Sequence, residues 1–242
     1  MDFDRIHKVF TDYVNNFDMN DERISLKYYH TLKVSEVSYK IANLLGLSDE
    51  EKDLAKLIGY LHDIGRFEQV EKTNSFKDKN MDHADNGVRL LFEDGMIRKF
   101  IDDDKYDEII KKAVRNHNKL EIEDLVDDNE KLFCNIIRDS DKIDIFRVRN
   151  IYYENELILK PSDEVLNSFE NRVLVKLEDI KNKSDAILCN LAFIFDINYK
   201  ESLIVLKELG YYRDLLNNIE VSNENIEIFN IIKEIVLSKL EV

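Results

Sequence analysis

The chain has 242 residues, long enough for one large domain or two small ones. Hydrophobic residues make up 44% and charged residues 35%, which excludes a disordered or membrane-embedded chain. The formal net charge of −15 repels phosphate backbones, so a nucleic-acid polymer is not an expected partner. A small phosphorylated substrate stays compatible with that charge, because a few cations in a cleft outweigh a distant surface field.

One proline, Pro161, and six glycines favour helices throughout. The first residues, MDFDRIHKVF, carry no signal-peptide pattern, and the longest apolar run, 187–195, is too short to span a bilayer. In residues 24–45, Leu32, Val37, Ile41, Leu44 and Leu45 share a helical face, and Gly46 can end the helix. Ser48 with Glu51 forms a capping-box pattern that opens a helix through Leu54, Leu57, Ile58 and Leu61. Gly65 ends or turns it, by a left-handed turn or a close backbone approach. Residues 66–81 are polar and irregular and read as a loop.

Asp82 can cap a helix running to Glu93, with Gly95 after it. Residues 105–117 form the next helix, with Ile109, Ile110, Ala113 and Val114 apolar, and 118–128 read as an acidic connection. Leu132, Phe133, Ile136, Ile137 and Ile143 supply the apolar face of a helix over 129–150. No periodic β segment stands out, and the one place a short strand fits is near 151–159. After Pro161 the pattern predicts helices over 164–182, 184–195, 199–209 and 223–240. The expected fold is an all-α helical bundle, one domain over 1–242, whose later helices pack as an extension over about 151–242. Those helices also leave a homodimer open. Cys134 and Cys189 lie in apolar helical stretches and read as buried thiols in a reducing cytoplasm.

Four of the five histidines sit in suggestive contexts: His30, His62, His83 and His117. His7 reads as a surface or packing residue. His62-Asp63 follows the apolar run LIGYL, so an ionised aspartate falls at the end of a buried helix, where it needs a partner or a cation. Taken alone, the pair also fits a helix-capping Asp63 beside a packed His62. Four histidines on four predicted helices, with the acidic cluster Asp139-Ser140-Asp141, can converge in a bundle. Imidazole and carboxylate donors suit Fe, Mn, Zn, Co or Ni, and no cysteine joins the set.

The pieces HTLKV, LHDIGR, DHADNGVRLL, AVRNH and RDSDKID, spread over about residues 28–145, resemble the HD-domain superfamily of metal-dependent phosphohydrolases in type and order. The resemblance implies an all-helical metal-binding core over about 20–150. It assigns His30, His62, Asp63 and Asp141 as the basic metal set, with His83 and His117 completing a dinuclear one and Asp63 as the bridging carboxylate. That dinuclear branch includes HD-GYP phosphodiesterases, diadenosine tetraphosphate hydrolases and di-iron oxygenases such as myo-inositol oxygenase. The chain lacks the GYP sequence and paired histidines beside His117, so cyclic-dinucleotide hydrolysis is not expected. The DSDKID stretch also resembles dNTP triphosphohydrolases, which favours Asp141 over Asp139 as ligand and nominates Lys142 for phosphate.

The expected activity is hydrolysis of a small phosphorylated or nucleotide substrate, by water activated at two divalent metal ions (Fe, Mn, Co, Ni, Zn or Mg). Asp63, Arg66 and Lys142 are the expected catalytic residues. Lys33, Arg66 and Lys142 lie three, four and one residues after His30, His62 and Asp141, which places them as phosphate clamps. Asp139 and Asp85 are candidate acceptors for histidine N–H groups, Asp85 being read first as a residue favoured by the helix dipole. The same ligands suit a mixed-valent di-iron oxygenase, and a nucleotide-sensing protein with silent chemistry is a third class. Tyr28-Tyr29, Tyr152-Tyr153 and Tyr211-Tyr212 read as helix-packing aromatics before base-stacking ones.

Overall fold

Side chains that accept the unpaired amides of a first turn start the early helices. In the computed structural model, which describes residues 1–122, 127–152 and 157–241 (backbone alone at 151 and 152), Asp2 caps α1 (Phe3–Val14) and Asp21 caps α2 (Glu22–Leu44). Ser48 caps α3 (Asp49–Leu61) in a reciprocal box with Glu51, as its spacing predicts. Asp63 precedes α4 (Ile64–Thr73) without capping it, which leaves its carboxylate for other partners. Asp82 caps α5 (His83–Val88), and the chain winds on as a π-helical turn over Arg89–Glu93 before Gly95 at φ +74°. Short α6 (Ile97–Phe100), α7 (Asp107–Asn116) and long α8 (Asp128–Tyr152) follow.

The fold is all-α, and the chain divides into two compact units, residues 1–141 and 142–242. In the first, α2 and α3 approach so closely that a Cβ on Gly59 would lie 2.5 Å from Ser35 Cα. That explains why the buried face of α2 carries small Ser35, Ser38 and Ala42 beside Val34, Val37 and Ile41, whereas Leu32 is half-buried and Leu44 exposed, against expectation. The loop expected from residue 66 begins only after Thr73. Phe67 and Val70 bury one face of α4, with Phe67 against Phe10, Tyr13 and Phe17. Arg66 and Gln69 are buried too, and these polar residues hide the helical stripe in the sequence.

In the second unit, β1 (Leu157–Ile158) pairs in parallel with β2 (Glu220–Val221), which places the expected strand; residues 153–156 of that span lie outside the described residues. Helix α9 (Asp163–Glu170) stops well short of 182: Arg172 takes φ +56°, and the amides of Arg172 and Val173 return to the carbonyls of Phe169 and Ser168. Next come α10 (Lys183–Leu191), α11 (Lys200–Leu209), α12 (Tyr211–Asn218) and α13 (Ile226–Ser238); α12 was not anticipated. Of the tyrosine pairs, Tyr28 stacks on Phe10 and Tyr212 packs edge-on against Phe146, while Tyr29 is exposed. The Tyr152 and Tyr153 side chains lie outside the described residues. Cys134 and Cys189 are buried and form no disulfide. Among the described residues, no helix is long and apolar enough to cross a membrane.

Candidate metal centre

Helix ends bring the histidines together. His30 projects from the middle of α2, His62 is the C-cap of α3, His83 the first residue of α5, and His117 the C-cap of α7. Asp141 comes from α8. The donor atoms form two triads, His30–His62–Asp141 and Asp63–His83–His117, each with its atoms within 4.8 Å of one another.

Asp63 faces both. Its Oδ2 lies 3.7 Å from His30 Nε2 and 3.6 Å from His62 Nε2. Its Oδ1 lies 3.2 Å from His83 Nε2 and 3.6 Å from His117 Nε2. Asp141 Oδ1 is 3.0 Å from His30 Nε2 and 3.8 Å from His62 Nε2. Two ligands bound at about 2.1 Å and 90–110° apart are about 3.0–3.4 Å from each other, so these spacings suit cation coordination.

Backbone carbonyls decide which ring nitrogen faces inward. His62 Nδ1 donates to the Gly59 carbonyl at 2.8 Å, and His117 Nδ1 donates to Val114 at 2.7 Å. His83 Nδ1 donates to Asp78 Oδ1 at 2.7 Å. Each Nε2 therefore presents a lone pair, the arrangement usual for metal-ligating histidines. His83 and His117 bring two such nitrogens to 3.0 Å, an approach that the Arg66 guanidinium, 2.7 Å from His83 Nε2, offsets here as a bound cation would. His62 Nε2 and Asp63 Oδ1 are buried and make no hydrogen bond. Orphaned donor atoms of this kind fit a divalent metal.

Protonation favours the same use. Burial pushes His62 down to about 3 and His83 down to about 4, so both stay neutral at physiological pH. Burial alone would raise the Asp63 carboxyl, but Lys27, His62, His117 and Arg66 outweigh it and hold it well below the usual carboxylate range. Asp141 is held low against burial by His30, His62 and Lys27.

The expected clamps have uneven placements. Arg66 is buried and committed: Nη2 reaches His83 Nε2 at 2.7 Å, and Nη1 reaches Gln69 at 2.6 Å and the Phe76 carbonyl at 2.8 Å. Lys33 follows His30 by one turn but pairs with Glu36 at 2.8 Å at the surface. Lys142, in the second unit, pairs with Asp196 at 2.8 Å. Asp139 is fully buried, and Asp85 sits in the first turn of α5 near Arg115, in keeping with its dipole role. Asn116 bonds back to Lys112, and Asn118 reaches Asp82. His7 packs edge-on beside Tyr60.

Three residues escaped notice in the sequence. Lys27 Nζ lies 2.6 Å from Asp63 Oδ2; its place one turn before His30 on α2 was the available signal. Asp78 orients His83 from the loop after α4, and Gln69 holds that loop by donating to Asp78 at 2.7 Å and to the Met81 carbonyl at 2.6 Å. No periodicity marks a loop acceptor, so neither had a signal.

Residues 28–145, the stretch that holds both triads, match the family model of the HD domain. No curated protein and no solved structure matches the chain.

Proposed function

Because residues 28–145 are an HD domain, a family made up generally of metal-dependent phosphohydrolases, we propose that this protein hydrolyses a small phosphorylated substrate at a dinuclear metal centre. One observation carries the reading: the two oxygens of Asp63 address two separate histidine pairs, with Asp141 completing the first set. A shared carboxylate between two nitrogen-rich sets is the donor arrangement that two neighbouring divalent cations require.

In this reading His30, His62 and Asp141 hold one metal, His83 and His117 the other, and Asp63 both. Such a pair, when bound, supplies Lewis acidity that brings the pKa of water toward neutrality and offsets charge on phosphoryl oxygens. The chain's own residues do the rest. Lys27, beside Asp63 with its side chain 17% exposed, meets a phosphoryl oxygen and adds positive charge where negative charge grows. Arg66 braces the loop through the Phe76 carbonyl rather than acting as a free clamp, and a metal on His83 would take the Nε2 lone pair that Arg66 now donates to. Asp78 keeps the His83 lone pair pointed inward. Lys33 and Lys142 remain proposed phosphate contacts, each of which would first exchange its carboxylate partner. The same reading places the protein in the cytoplasm, where its two thiols stay reduced.

The test is metal content and phosphate release, measured on protein purified without added metal and then supplied with Mn, Fe, Co or Ni. Two metals per chain, with phosphate release lost in Asp63→Ala, is the expected result. Oxygen uptake without phosphate release would replace hydrolysis with oxygen chemistry. Bound metal with neither activity would make the centre a sensor, and a chain that binds no metal would overturn the reading.

A further inference from the structure

The loop between α4 and α5 carries one aromatic side chain, Phe76, and it stands over the charged edge of the candidate centre. Its ring centroid is 5.9 Å from Lys27 Nζ and 5.8 Å from the Arg66 guanidinium carbon. Those two cations are the groups that touch Asp63 Oδ2 and His83 Nε2. Yet Phe76 keeps 37% of its surface exposed, while the histidines beneath are buried.

Its backbone is held firmly. Arg66 donates to the Phe76 carbonyl, Arg23 to the Asn74 carbonyl at 2.8 Å, and the Thr73 hydroxyl to the Ser75 carbonyl at 3.2 Å. Gln69, fully buried, ties down the Met81 end of the loop. An aromatic ring left exposed on an anchored loop is pre-organised to receive a flat partner, because little ordering remains to be done on binding.

We propose that Phe76 is the specificity-determining residue of the site: it stacks on a planar aromatic group joined close to the substrate phosphate, as in a nucleotide or an aryl phosphate. This rests on the phosphohydrolase reading. A phosphate held at Lys27 leaves its organic group on the side of the Phe76 ring, whose centroid is 5.9 Å from Lys27 Nζ. Tyr29, the more exposed aromatic, precedes His30 on α2 and so lies about 100° around the helix from it, whereas Lys27 and His30 share a face. Tyr29 therefore serves as the control.

The chain has no tryptophan, so Phe76→Trp makes a single fluorescent reporter at the site. With Mn present, adenosine monophosphate, phenyl phosphate and ribose 5-phosphate are titrated against Phe76→Trp. The same three are tested for phosphate release by the wild type, Phe76→Ala and Tyr29→Ala. Stacking predicts saturable quenching by the two aromatic esters and none by ribose 5-phosphate. It also predicts that Phe76→Ala raises KM for adenosine monophosphate by about 5- to 150-fold relative to ribose 5-phosphate, while Tyr29→Ala leaves that ratio alone. If both aromatic esters behave alike, the ring alone is recognised; if only the nucleotide does, the pentose spacing is part of the recognition. Either result supports stacking. Equal KM shifts for all three esters, or a ratio that responds to Tyr29 instead, would overturn the role of Phe76 and leave the phosphohydrolase reading standing. Failure of every ester to bind or to release phosphate would overturn both.

Discussion

Gly65→Ala tests the packing that brings the two halves of the centre together. Gly65 lies in the first turn of α4, two residues after Asp63, and faces α5. A Cβ there would fall 2.3 Å from the His83 carbonyl oxygen and 2.4 Å from the Gly87 nitrogen, whereas ordinary contact begins at 3.4 Å. The helices would have to part by about 1 Å, and because both opposing atoms are backbone, no rotamer change relieves the clash. Overpacking costs about 1–3 kcal/mol, and a backbone clash belongs at the upper end. For a chain of this size about 3 kcal/mol corresponds to a fall in Tm of roughly 6–12 °C. The same displacement would pull His83 Nε2 away from Asp63 Oδ1, now 3.2 Å apart, so the second metal should be held less tightly. Thermal unfolding followed by circular dichroism, with metal content measured on the same samples, reads both effects. An alanine variant with unchanged Tm and unchanged metal content would refute the close approach of α4 and α5.

Asp78→Ala removes the acceptor that orients His83 and should weaken metal affinity by about 10- to 100-fold in calorimetric titration; unaltered affinity would mean that Asp78 does not position the ligand. Arg138 donates to the carbonyls of Asn116, Lys119 and Leu120, joining α8 to the segment just around His117. Its replacement by methionine strands the buried Asn116 carbonyl and two part-buried ones and should cost roughly 2–3 kcal/mol in urea denaturation, and a loss near zero would count against that bracing role. Asp185 accepts from the amides of Ser162, Lys181 and Asn182 and from the Ser162 hydroxyl. Burial would raise its pKa, but these donors outweigh burial and hold it below the usual carboxylate range. Its stabilisation is therefore complete above the ordinary value near about 3.9 and is lost as pH falls through the lower folded-state value. Asp185→Asn should lower stability at neutral pH and flatten acid unfolding below about pH 4; superimposable acid-unfolding curves would contradict this.

What could be read from the sequence was local or ordered along the chain. Helix starts at Ser48 and Asp82 are written in residues three or fewer positions apart, so capping chemistry suffices to find them. The histidine order, with the pair His62-Asp63, identified the HD domain without coordinates. Where the pattern misled over α4, burial of polar groups was the cause. Arg66 and Gln69 made α4 look like a loop, because their partners Phe76, Asp78 and Met81 lie beyond the span that periodicity senses.

The sequence by itself determined an all-helical chain and a set of imidazole and carboxylate donors, since helix period and residue type are properties of short segments. Only the tertiary structure decided how the donors divide. It turned one oxygen of Asp63 toward each histidine pair, chose Nε2 as the inward nitrogen of His62, His83 and His117, and set Lys27 against Asp63. Those outcomes depend on contacts between helices distant in the chain, and on carbonyl and carboxylate acceptors whose directions exist only once the helices have packed.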